Sequence, residues 1–129
     1  MGVKLIKIAV IYFVLGILLG MYMSISHSYD YASVHTHVNL LGWASLALAG
    51  IIYYLFPAAG ESTVGKVHFW LHNIGLPIMM IGLTLLVSGV ESVEPVIAAG
   101  GVLVTLGILA FLYNVLTHVK SVKSVRRRR

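Results

Sequence analysis

The chain contains no cysteine. That removes disulfides, thiolate-held iron–sulfur clusters and covalent heme attachment through Cys-x-x-Cys-His. Any heme would have to be held by histidine or methionine and by packing. Charge is also scarce. Only 10% of the 129 residues are Asp, Glu, Lys or Arg, against about 25% in a soluble domain, so most of the surface must face lipid. No acidic residue falls inside a long apolar run, which weakens any path for cations or protons through the chain. Strict apolar–polar alternation is missing too, so a transmembrane barrel is not expected and helices are.

What the chain does have is hydrophobic length: 59% of it is apolar. A crossing helix needs about 20 apolar residues, and four such runs fit, at about residues 3–23, 34–56, 67–88 and 96–118. The expected fold is therefore an all-α integral membrane protein, a four-transmembrane-helix bundle over residues 1–118, followed by a basic tail at 119–129. The first run is too long for a signal peptide and no small-x-small cleavage site follows it. Gly16 and Gly20 form a GxxxG pair, either a close-contact face or a chance spacing. Gly75, Gly82 and Gly89 recur every seven residues, as do Gly100, Gly107 and Asn114, and each set predicts a small-residue seam for packing. Pro77 lies inside the third run and removes one donor from it.

All nine basic residues fall on one side of a four-span topology: Lys4, Lys7, Lys66, Lys120, Lys123 and Arg126 to Arg129. The opposite side carries Asp30, Glu91 and Glu94. This positive-inside pattern predicts cytoplasmic termini in a prokaryotic inner membrane. A basic run beside a membrane helix orients the chain or touches anionic lipid. Nothing aromatic interleaves the arginines, so a nucleic acid partner is not expected.

Six histidines stand out in so apolar a chain, because an imidazole in lipid needs a partner. The topology puts His27, His35 and His37 toward the outer surface. His68, His72 and His118 fall toward the inner one, an expected separation of about 20 Å or more at 1.5 Å per residue. His35 and His37 are two residues apart and differ by about 200° around a helix. They cannot ligate one iron together but can serve two partners on two sides. His68 and His72 share a face one turn apart, which suits a single zinc or copper ion. For His27 and His118, interface hydrogen bonding is the plainer role. Tyr53, Tyr54 and Trp43 are expected to pack.

The stretch HTHVNLLGW, followed by SLALAGIIYYLFP, resembles the helix of heme–copper oxidase subunit I that bears two heme ligands at His-x-His. It is closest to the C-family oxidases with b-type hemes and to nitric oxide reductase-like chains. VHFWLHNIGLPIMMIGLTLLVSG is similar to the helix that follows there, at His68, Phe69, Trp70, Leu71, Ile74 and Gly75. The resemblance implies that His35 and His37 ligate heme iron and that the cofactor is non-covalent heme b. No copper motif of the His-Pro-x-x-Tyr kind occurs, so no complete oxidase or reductase active site is recognised. The family subunit repeats a four-helix arc around a ring, and this chain has the length of one arc. One arc completed by self-association is therefore implied, with a homotrimer as the natural closed form.

Around such a ring, His37 of one copy would face His35 of the next across a heme. Bis-histidine iron has no open position, so electron transfer is the expected activity, with a quinol or respiratory-chain protein as partner. Two other roles are compatible with the residues. One is a non-catalytic subunit or assembly factor of a respiratory oxidase. The other is a copper- or zinc-binding protein using His68, His72 and His118 at the inner face, with His27 a further metal candidate at the outer one.

Overall fold

The computed structural model describes residues 1–121. The expected tail lies mostly beyond them, Lys123 and Arg126 to Arg129 included. Four long helices run Gly2–Ser26, Ala32–Leu55, Thr63–Val87 and Glu94–His118. All are long and apolar enough to cross a membrane, and no strand occurs among the described residues. At about 1.5 Å per residue, a helix of 25 residues extends about 37 Å, more than the hydrocarbon core.

The boundaries have local causes. The first helix stops at His27, which adopts a left-handed conformation at φ 51°. The second stops where Phe56 precedes Pro57, since a residue before proline is driven out of the α region, and Phe56 sits at φ −123°, ψ 78°. Pro57 then opens a short helix, Pro57–Glu61. Ser62 starts the third long helix by accepting the Gly65 N–H at 2.9 Å. That cap draws Thr63 to Lys66 into the helix, so it begins earlier than the apolar run. Gly89 ends the same helix at φ +95°. Its N–H donates to Leu86 O and the Val90 N–H to Leu85 O, at 2.9 and 3.0 Å, a Schellman ending. Gly89 thus leaves the expected seven-residue seam, because the turn needs its positive φ.

Small residues set how the helices pack. A Cβ at Gly16 would stand 2.5 Å from the Asn39 side chain, and one at Gly20 would stand 3.0 Å from the His35 ring. The GxxxG pair is therefore a contact face that receives the second helix. Lower on the same interface Gly42 seats the Tyr12 ring, and Gly50 meets Ile6 and the Gly2 carbonyl. Between the third and fourth helices, a Cβ added at Gly75 or at Gly100 would stand 2.9 Å from the other's carbonyl oxygen, Gly82 lies against Ile97, and Gly107 against the His72 backbone. The molecule is thus two antiparallel hairpins, first helix on second and third on fourth. Met1 and the end of the fourth helix at His118 lie at the end that carries Pro57–Ser62, and the turns at residues 27–31 and 88–93 lie at the other. Large apolar side chains such as Ile11, Leu18, Leu48, Trp70, Leu109 and Leu116 face outward, as lipid contact requires.

Within the second helix the winding changes. Residues Ala32–His37 are α-helical, Val38–Ala44 form a π-helix and Ser45–Leu55 return to α. The Ser45 N–H donates five residues back, to Leu40 O, and the Ser45 hydroxyl reinforces it at 2.8 Å. Leu41 O is thereby left without the Ser45 donor that α winding would supply.

Candidate functional site

Four of the six histidines fall into two sites. At the first, His37 and His35 line grooves on different sides of the second helix. The His37 groove, about 340 Å³, is walled by Leu41, Met79, Gly101, Val104, Thr105, Ile108 and Leu109. The His35 groove is walled by Thr36, Asn39, Leu40, Trp43 and Ala44. Both rings are half-buried. The His37 Nδ1–H donates to Ser33 O at 2.8 Å, one turn back on its own helix. That bond fixes the tautomer, because a carbonyl can only accept. Nε2 therefore carries the lone pair and is free of hydrogen bonds among the described residues. His35 is held differently. Its ring rests over Gly20, and its Nδ1 lies 3.4 Å from the Asn39 amide nitrogen, whose firm bond is to His35 O at 2.8 Å.

The second site is a buried chain of hydrogen bonds. His68, His72 and Asn114 are the buried polar side chains of the core, each 0% exposed. His72 Nε2 lies 3.0 Å from Leu41 O, the carbonyl that the π-helix released, and must carry the proton there. His72 Nδ1 is then an acceptor and takes the His68 Nε2–H at 3.3 Å. His68 Nδ1 in turn accepts the Tyr53 hydroxyl at 2.9 Å, and the Tyr53 oxygen accepts the Asn114 amide at 3.1 Å. Asn114 also donates to Ala59 O at 2.9 Å and accepts from the Ser62 hydroxyl at 2.8 Å. Every link runs in one direction and both imidazoles are satisfied as neutral rings. Phe111 covers Tyr53 and His68, with ring centroids 5.8 and 4.9 Å away.

This arrangement bears on the inner-face metal expectation. His68 and His72 do share a face, but all four of their ring nitrogens already have protein partners. No cluster of three or more His, Asp or Glu able to hold a metal ion exists among the described residues. His118 turns its Nδ1 to Thr117 Oγ1 at 2.8 Å and Asn114 O at 3.3 Å, away from the pair. His27 is exposed at the end of the first helix. The expected 20 Å between inner and outer groups fails for His72. Its ring reaches Leu41, four residues from His37 and so only about 6 Å along the helix axis.

Sequence reasoning assigned Tyr53 to packing and did not place Ser62, Asn114 or the Leu41 carbonyl in a site. Two signals pointed that way. His68 and His72 share a face and, buried in lipid, would need partners. Asn114 occupies the third place in a glycine stripe that faces the same helix.

The fold and the two sites together define an all-helical chain with four helices compatible with integral membrane residence. Compared with family models, curated proteins and solved structures, it has no match in any of the three.

Proposed function

We propose that this chain is a membrane-embedded heme b protein that transfers electrons, with iron held between two copies by His37 of one and His35 of the other. The observation that carries the proposal is His37: its Nδ1–H is committed to Ser33 O, which leaves a lone pair on Nε2 at an apolar groove. A metal-ligating imidazole is oriented in just this way by a bond at its other nitrogen. The residues fit the group. Gly101 contributes no side chain to the groove wall, so a flat macrocycle can lie close to the fourth helix, with Met79, Val104, Ile108 and Leu109 as apolar contacts.

The groove is open on its outer side, so a second copy is needed to cover the other face. The His35 groove, with Trp43 and Leu40, lies on another side of the same helix. A contact between two different faces repeats head to tail, and closes into a ring when the rotation between copies is a whole fraction of a turn. This supports the homotrimer implied by the resemblance of HTHVNLLGW to the heme-bearing helix of heme–copper oxidase subunit I. Heme held by two imidazoles supplies reversible one-electron transfer and leaves no iron position for substrate. The chain's own residues orient the ligand through Ser33, exclude water with apolar side chains, and place the site toward the end with residues 27–31. With basic residues near both termini, that end faces away from the cytoplasm of a prokaryotic inner membrane, where a quinol or a respiratory-chain protein is the electron partner.

Absorption spectra of the detergent-purified chain, oxidised and reduced, test the proposal. A Soret band with sharp reduced α and β bands, unchanged by carbon monoxide and abolished by His37→Ala, is expected. No Soret band, or one that survives His35→Ala combined with His37→Ala, would refute it.

A further inference from the structure

The buried histidine chain and the candidate ligand are joined through the π-helical segment. A π-helix accommodates one residue more than an α-helix over the same length, and it persists where its released backbone groups find other partners. Here the released group is Leu41 O, and its partner is His72 Nε2–H at 3.0 Å. His72 is itself fixed from behind by His68, Tyr53 and Asn114. Were Leu41 O to lose this donor in a lipid-buried interface, the Ser45 N–H would be the nearest replacement, through ordinary α winding. Rewinding without loss of a residue turns the part before Val38 by about 100° relative to the part after Ser45.

We infer that His72 is a positioning residue: by holding Leu41 O it maintains the π-helical segment, and so sets the direction in which His37 faces its groove. The importance of that direction for cofactor binding rests on the proposed function. The inference itself concerns helix winding and is tested without heme.

The chain has no cysteine of its own, so cysteines introduced at His37 and Thr105, which line one groove, report their proximity cleanly. The full chain in detergent is treated with a short bis-maleimide. The pair cross-links with His72 present, and His72→Leu lowers the yield several-fold. His72→Gln, whose amide can still donate, restores it. His72→Leu combined with deletion of Leu40, a residue 60% exposed, restores it without any donor, because the segment then winds as α-helix with both flanks in their original orientation. Unchanged cross-linking in His72→Leu overturns the inference. If His72→Leu does not fold, the deletion variant decides: folding and cross-linking support the inference, and failure to fold overturns it. A chain that binds no heme refutes the proposed function and leaves this test intact. Heme loss in His72→Leu with cross-linking unchanged does the reverse.

Discussion

A histidine ring in a low-dielectric interior is tolerated when its nitrogens are employed, and this chain employs them in two ways. His68 and His72 spend both nitrogens on protein partners. His37 spends one, and it is this difference, more than the His-x-His spacing, that separates a core histidine from a ligand candidate. Tyr53→Phe leaves His68 Nδ1 without its donor and should lower stability by about 1–2 kcal/mol, read from thermal unfolding in detergent. Asn114→Leu should cost more, since it strips partners from Tyr53, Ser62 and Ala59 O together. Equal stability of both variants and wild type would show that the chain of bonds contributes nothing net. At this scale the sequence was half legible. The divergence of His35 and His37 follows from 3.6 residues per turn, but tautomers depend on contacts between distant segments, such as Tyr53 with Asn114.

Helices here touch through glycine, and the two neighbours Gly100 and Gly101 show how specific that is. A Cβ at Gly100 would stand 2.6 Å from the Met79 backbone, whereas one at Gly101 meets only the Met79 sulfur at 3.6 Å. Gly100→Leu should therefore disrupt the pairing of the third and fourth helices and abolish folding. Gly101→Leu should leave folding intact but fill the groove beside His37, so heme content falls while the size-exclusion profile stays the same. Heme content equal to wild type in Gly101→Leu would count against this groove as the proposed heme site. Gly89→Ala should destabilise by about 1 kcal/mol, because alanine resists positive φ, checked by the same thermal unfolding. Apolar run length located all four helices and missed their ends, which depend on the Ser62 cap and the Gly89 turn. The π-helical segment left no trace in VNLLGWA, whose composition suits ordinary α winding. It depends on a histidine 31 residues away.

For the whole molecule, the apolar runs conveyed four long helices and left their pairing in sequence order to the fold. They could not convey how the hairpins join, since that depends on particular side chains. The absence of native cysteine permits a topology test. Ser28→Cys should react in intact cells with a membrane-impermeant maleimide, and Glu61→Cys should react only after the cells are opened; the reverse order would invert the proposed orientation. The join between hairpins is also uneven. At the end with Pro57–Ser62 it is a network of buried bonds through Tyr53, His68, Ser62 and Asn114. Toward the other end the hairpins are linked by a bond from Tyr31 to Ser88 at 3.1 Å. Between them lies an apolar cleft of about 530 Å³, walled by Ile11, Leu15, Val34, Pro77, Met80 and Leu85. The pair is therefore fastened like a clothes-peg sprung at its foot: polar bonds clamp it there, and above them its jaws meet through apolar side chains, the His72–Leu41 bond and the exposed Tyr31–Ser88 bond.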